Sequence, residues 1–132
     1  MTEVLYLDSS AIVKLVASEP ESASLTARIA EATTVSSEIA RVEVLRAIRR
    51  SGGKREMLER GREVIRRVGL LRVDGRVLDL AAEVEPADLR TLDAIHLASA
   101  LVLGETLGAF VTYDRRLVAA AEQAGLGVQS PA

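Results

Sequence analysis

The 132-residue sequence contains no cysteine and no tryptophan. Without cysteine there can be no disulfide, no thiolate metal ligand and no sulfur nucleophile, and a chain of this kind suits a reducing compartment, so the cytoplasm is its expected location. Aromatic side chains are confined to Tyr6, Phe110 and Tyr113. Three are too few for the stacking platform on which single-strand binders lay successive bases, so any nucleic acid would be held by charge. The one histidine, His96, excludes a ribonuclease that uses paired imidazoles as general acid and base. No apolar run approaches the roughly 20 residues of a membrane helix, and the N-terminus lacks the basic-then-apolar pattern of a secretory signal, so no membrane association is expected. Gly-rich phosphate loops of the G-x-G-x-x-G and G-x-x-x-x-G-K kinds are missing as well.

What remains is enough for a core: 48% of the residues are apolar, in a length that fits one domain over residues 1–132. The net charge of −2 conceals a basic stretch, since Arg46 to Arg67 holds nine of the 17 Lys and Arg against Glu56, Glu59 and Glu63. Short apolar or β-branched runs at 4–7, 33–36, 70–73, 109–113 and 127–130 alternate with segments of helical period at 10–18, 21–32, 37–51, 54–68, 76–85, 91–107 and 115–124. That alternation predicts an α/β fold, a central, mostly parallel sheet flanked by helices.

Four acids need an explanation. Asp8, in "LYLDSSAIVKL", ends the first strand, and Asp114, in "VTYDRRL", ends a later one; the carboxyl ends of parallel strands are where such sheets gather ligands. Either residue is equally explained as a helix N-cap, worth about 1 kcal/mol. Glu43, in "ARVEVLRA", shares a helical stripe with Ile39 and Ala47 and faces partly inward, unless it pairs with Arg46 on the same helix. Asp93 opens "TLDAIHLASALVLG", where only Asp93, His96 and Ser99 are polar between Leu92 and Leu103. This helix is expected to be buried nearly all round, with Asp93 at its positive end. A single convergent site accounts for all four acids at once. Two carboxylates about 4 Å apart repel by roughly 4 kcal/mol at an effective dielectric near 20. Such a cluster calls for a cation, and all-oxygen ligation selects Mg²⁺ or Mn²⁺ over zinc.

In order and spacing these segments, with "LDAIHLASA" the most specific, resemble the motifs of PIN-domain ribonucleases, especially the VapC toxins of toxin–antitoxin pairs, over essentially the whole chain. The resemblance puts the family's acidic positions on Asp8, Glu43, Asp93 and Asp114, and the small hydroxyl residues beside the metal on Ser10 and Thr112. It implies a PIN-like fold and an Mg²⁺-dependent endoribonuclease in which Mn²⁺ can substitute. It also implies a homodimer silenced by a small VapB-like antitoxin, and hydrolysis by water that leaves 5′-phosphate and 3′-hydroxyl ends. Asp8 and Asp93 are the first choices as direct ligands, with Glu43 and Asp114 on a second ion or on metal-bound water. Arg46, Arg49 and Arg50 flank Glu43, and Arg115 and Arg116 follow Asp114; these five are the candidates for RNA contact. The rest of the basic run reads as a solvated helix with pairs such as Glu56–Arg60 and Glu63–Arg67. His96 is expected to be a core histidine bonded to the backbone or to a neighbouring acid rather than a ligand. Two alternatives stay open: a non-catalytic module that receives a partner's arginine among the acids, and a haloacid-dehalogenase-like phosphatase, which needs an acid where Ser10 stands.

Overall fold

Five strands form one parallel sheet in the computed structural model, which describes residues 2–132. They are β1 (Val4–Leu7), β2 (Thr33–Ser37), β3 (Gly69–Leu71), β4 (Ala109–Val111) and β5 (Val128–Gln129), in the order β3-β2-β1-β4-β5. Between them run α1 (Ser9–Val16), α2 (Ser22–Ile29), α3 (Ala40–Arg50), α4 (Arg55–Arg66), α5 (Gly75–Glu83), α6 (Thr91–Val102) and α7 (Arg115–Gln123). Every expected strand and helix is present. No helix among the described residues is long and apolar enough to cross a membrane.

The period of two in the strands sorts side chains between two layers of helices. Leu5, Leu7, Ala109 and Val111 face α1 to α4 and pack with Ile12, Leu25, Val44 and Ile48. Tyr6 and Phe110 face the other way, onto Leu97 and Ala100 of α6 and Leu117, Ala120 and Ala121 of α7. Covered on both faces, β1 and β4 read in sequence as unbroken apolar runs. Gly61, in the middle of α4, marks a close approach of helices: a Cβ there would lie 2.9 Å from Ile48 Cδ1 and 3.3 Å from Leu45 Cδ2.

Three element ends differ from expectation. The third strand stops at Leu71 instead of 73, because the Val73 N–H donates to the Glu38 carboxylate and not to a strand. The fourth stops at Val111 because side-chain oxygens take over: Tyr113 N–H donates to Ser10 Oγ (3.0 Å) and Asp114 N–H to Thr112 Oγ1 (3.1 Å). α6 stops at Val102, five residues early, where Gly104 adopts φ +55°, the left-handed conformation that ends many helices. Burial all round α6 holds from Ala94 to Ala100 but fails in its first turn, where Leu92 is exposed. In α4 the pair that forms is Arg55–Glu59 (3.2 Å), not Glu56–Arg60 or Glu63–Arg67. All six side chains are exposed, and there a pair is worth a few tenths of a kcal/mol, too little to fix one choice.

The strand order also locates the site. From the central β1 the chain runs to β2 on one side and later returns to β4 on the other, so the order reverses at β1/β4. The crevice of such a sheet opens beyond the carboxyl ends of those two strands.

Candidate active site

Asp8 and Thr112 stand at that crevice. The Asp8 N–H donates to Val111 O (3.1 Å), which keeps the turn from β1 to α1 against β4. Its carboxylate caps α1 through Ala11 N–H (3.0 Å), and it accepts Ser10 Oγ–H on Oδ1 (2.7 Å) and Thr112 Oγ1–H on Oδ2 (2.6 Å). The residue is buried. Burial pushes its carboxyl above the ordinary value, while the Thr112 and Ser10 hydroxyls work in the opposite direction. Asp114 caps α7 in turn, accepting from Arg116 N (2.9 Å) and Leu117 N (3.3 Å). Capping is thus a true account of both residues, but not a complete one. Thr112 Oγ1 lies between them, donating to Asp8 and accepting from the Asp114 backbone.

Glu43 reaches from the first turn of α3 to α6, not to Arg46. Its Oε1 accepts Ser9 Oγ–H (2.6 Å) and faces His96 Nε2 (2.6 Å). Burial pushes this carboxyl upward, but the hydrogen bond and charge of His96, the Ser9 hydroxyl and the charge of Arg90 together outweigh it and hold the group below its ordinary value. His96 is buried and has both ring nitrogens engaged, Nδ1 with the Tyr6 hydroxyl at 2.8 Å; it is a core histidine bonded to an acid. One turn before it, Asp93 Oδ2 meets Arg90 Nε at 3.3 Å, and the same guanidinium reaches Asp114 Oδ2 through Nη2, also at 3.3 Å. Burial raises the Asp93 carboxyl; Arg90 opposes the shift and the charge of Asp114 adds to it.

The PIN-domain family model matches residues 5–123. The ribonuclease VapC46 of Mycobacterium tuberculosis (strain ATCC 25618 / H37Rv) is 49% identical over 128 residues, 96% of this chain and 97% of the relative. The ribonucleases VapC47 and VapC35 of the same species (strain CDC 1551 / Oshkosh) are each 38% identical over 133 residues, 97% of both partners. The chain belongs to the PIN-domain family, in its VapC branch.

In this PIN domain the four acids are linked in pairs through shared partners and do not close on one point. Asp93 and Asp114 share one guanidinium, Asp8 and Asp114 share one hydroxyl residue, and Glu43 is bonded to Ser9, the neighbour of Asp8. The donor set fits a hard divalent cation: carboxylate oxygens, no sulfur, and a histidine whose ring is already occupied. As they stand, no three His, Asp or Glu side chains among the described residues are grouped closely enough to hold one ion. The positive charge between Asp93 and Asp114 is supplied by Arg90.

A cleft of about 420 Å³ opens beside these acids, lined by Val42, Glu43, Arg46, Arg50, Arg90 and Asp93 among others. Arg46 and Arg50 stand on its wall, whereas Arg49 is exposed elsewhere on α3. Arg115 and Arg116 are exposed beside Asp114 and form no ion pair among the described residues. A larger groove of about 660 Å³ between α3 and α4 holds apolar Ile39, Val42 and Leu45 under Arg41, Arg62 and Arg66, but none of the four acids. Chemistry, not volume, marks the site. Three of its residues escape sequence reasoning: Ser9, Tyr6 and Arg90. Only Arg90 left a signal, its place three residues before Asp93, the spacing of a helical ion pair.

Proposed function

We propose that this chain is a divalent-metal-dependent endoribonuclease that hydrolyses RNA phosphodiester bonds with water, and that it acts as the toxin of a toxin–antitoxin pair, residues 1–132 working as one PIN-like domain. The observation that carries the reading is the network that ties Asp8, Asp93 and Asp114 to Thr112 and Arg90 beside the β1/β4 crevice, with Glu43 joined to it through Ser9, in a chain whose relatives bear the name ribonuclease. Asp8, Glu43, Asp93 and Asp114 would hold Mg²⁺, or Mn²⁺ in its place, and the ion would supply Lewis acidity toward water and a counter-charge to the phosphate.

The chain's own groups prepare that chemistry. Ser10, Thr112 and the Ala11 N–H fix both oxygens of Asp8, and Ser9 donates to Glu43. Arg46 and Arg50 offer the cleft wall to RNA phosphates, with Arg49, Arg115 and Arg116 around it. The Arg46→Ala/Arg50→Ala protein is expected to show a several-fold higher KM, with kcat little changed. Its salt dependence should be shallower by about 1.4 log units per log unit, about 0.7 for each single-strand phosphate that the variant no longer neutralises. Cleavage rates between 50 and 200 mM KCl, on the order of the range where such slopes are read, check this.

The same reading gives the protein a small VapB-like antitoxin as partner, a homodimer as working unit and the cytoplasm as location. Arg90 illustrates how a partner's cation can silence the acids, since one guanidinium already satisfies two of them. That contact equally favours a second reading, a binding module that receives an arginine and cuts nothing. The phosphatase alternative loses support, because the place for its second acid holds Ser10, whose hydroxyl donates to Asp8.

Sequencing of the RNA ends produced by the pure protein separates the two. With Mn²⁺ the wild type is expected to release 5′-phosphate and 3′-hydroxyl ends, and both chelator and Asp93→Asn to stop it. Cleavage that persists in chelator, or no cleavage by the wild type, overturns the proposal.

A further inference from the structure

Behind the acids runs a line of buried polar groups that has no part in the hydrolysis described above. Tyr6, in the middle of β1, places its hydroxyl 2.8 Å from His96 Nδ1; His96 Nε2 lies 2.6 Å from Glu43 Oε1. Tyr6 and His96 are at most 1% exposed. An apolar side chain at position 96 would fill the same space without any polar group to satisfy, so the imidazole needs a reason.

We propose that His96, with Tyr6 behind it, is a positioning residue that sets the direction of the Glu43 carboxylate in the site. The inference rests on the nuclease reading and adds to it a residue that never touches the substrate.

The bonding order gives the device its logic. A carboxylate only accepts hydrogen bonds, so the proton between Glu43 and the ring sits on Nε2. The Tyr6 hydroxyl closes on Nδ1 from behind, and the ring is held in one orientation with Nε2–H aimed at Glu43. Tyr6 cannot swing away. Its ring is stacked on Phe110 (centroids 5.3 Å apart, planes 6° apart) and meets the His96 ring edge-on at 5.8 Å. Glu43 has other offers: Arg46, Arg50 and Arg90 line the same cleft, yet its hydrogen bonds go to Ser9 and His96 and to none of the arginines. Without the imidazole, a flexible side chain at the cleft wall would be drawn to those cations and away from Asp8 and Asp93.

The test compares wild type, Tyr6→Phe, His96→Leu and His96→Gln by Mn²⁺ calorimetry, by kcat and KM on RNA, and by ¹⁵N spectra of the single imidazole. The wild-type Nε2 is expected to carry a proton bonded to Glu43, and in Tyr6→Phe the Nδ1 resonance is expected to shift with the loss of its hydroxyl partner. Loss of a supporting partner costs about 10–100-fold, so Tyr6→Phe is expected at the low end and His96→Leu at the high end, in Mn²⁺ affinity or kcat, with KM for RNA within about twofold. His96→Gln, which keeps a donor at the end of its side chain, is expected to recover part of the loss. Tyr6→Phe removes one oxygen and keeps the ring on Phe110, so it carries the test even where His96→Leu does not fold. Variants that bind Mn²⁺ and cleave like an active wild type overturn the inference alone. A wild type that neither binds Mn²⁺ nor cleaves overturns it together with the nuclease reading.

Discussion

Asp8→Asn is expected to abolish cleavage and yet melt at or above the wild-type temperature at neutral pH. The loss of activity should exceed about 100-fold, because the substitution removes a charged donor of the site itself and not a partner that merely supports one. The stability expectation follows from the sign of the carboxyl's shift. Burial holds the Asp8 carboxyl above its ordinary value of 3.8 in the folded protein, so on raising the pH the unfolded chain gives up its proton first. Stability therefore falls from pH 3.8 up through the raised folded value, and above that window the charged Asp8 is a standing cost. Asparagine keeps the shape without the charge. Its Oδ1 can still accept from Ser10 and Ala11 N–H, and its amide can donate to Thr112 Oγ1 once that hydroxyl turns round.

Glu43 has the opposite sign. Its carboxyl lies below the ordinary 4.5, so it contributes stability above pH 4.5 that is lost as pH falls through the folded value, and Glu43→Gln should lower the melting temperature at pH 7. Calorimetric scans of the wild type and both variants from about pH 4 to 8 separate the two carboxylates. A melting temperature for Asp8→Asn below that of the wild type at neutral pH would mean that the three donors around Asp8 outweigh its burial, against the sign argued here.

Asp8 and Asp114 were legible in the sequence because each interrupts an apolar run at the point where period two gives way to period 3.6, and capping and ligand crevice both sit at that junction. Glu43 was legible from its stripe with Ile39 and Ala47, which places it at the edge of the buried face of α3. Its partner was not legible. The choice between Arg46, one turn further along the same helix, and His96, 53 positions on, depends on how close α3 and α6 come across the sheet, and no local pattern encodes that distance. Arg90 stayed hidden for a different reason. It is an exposed arginine whose only mark is a spacing of three from Asp93, common to many surface pairs, and only the joint position of Asp93 and Asp114 gives it a role. The early end of β3 shows the same limit, since Val73 keeps β-like character in the sequence but loses its N–H to Glu38, 35 residues away.

Phe110→Ala is expected to remove about 3–5 kcal/mol of folding stability, the usual cost of truncating a buried phenyl ring. Against a total of about 5–15 kcal/mol this is a fifth or more, equivalent to a fall in melting temperature on the order of 10–20 °C. The ring is fully buried in the central strand pair, between Tyr6 and the side chains of Leu97 and Leu117, so neighbours on three elements border the cavity it would leave. Phe110→Leu fills most of that space and should cost less than half as much. Urea denaturation of the two variants measures both values, and a loss below about 1 kcal/mol for Phe110→Ala would contradict the packing described, since it would require the layer to close over the gap. The site feels the same cavity. Tyr6 holds His96 only while its own ring is held by Phe110, so in Phe110→Ala kcat should fall at temperatures where the protein is still folded. In Phe110→Leu, which offers Tyr6 an apolar wall, it should fall less.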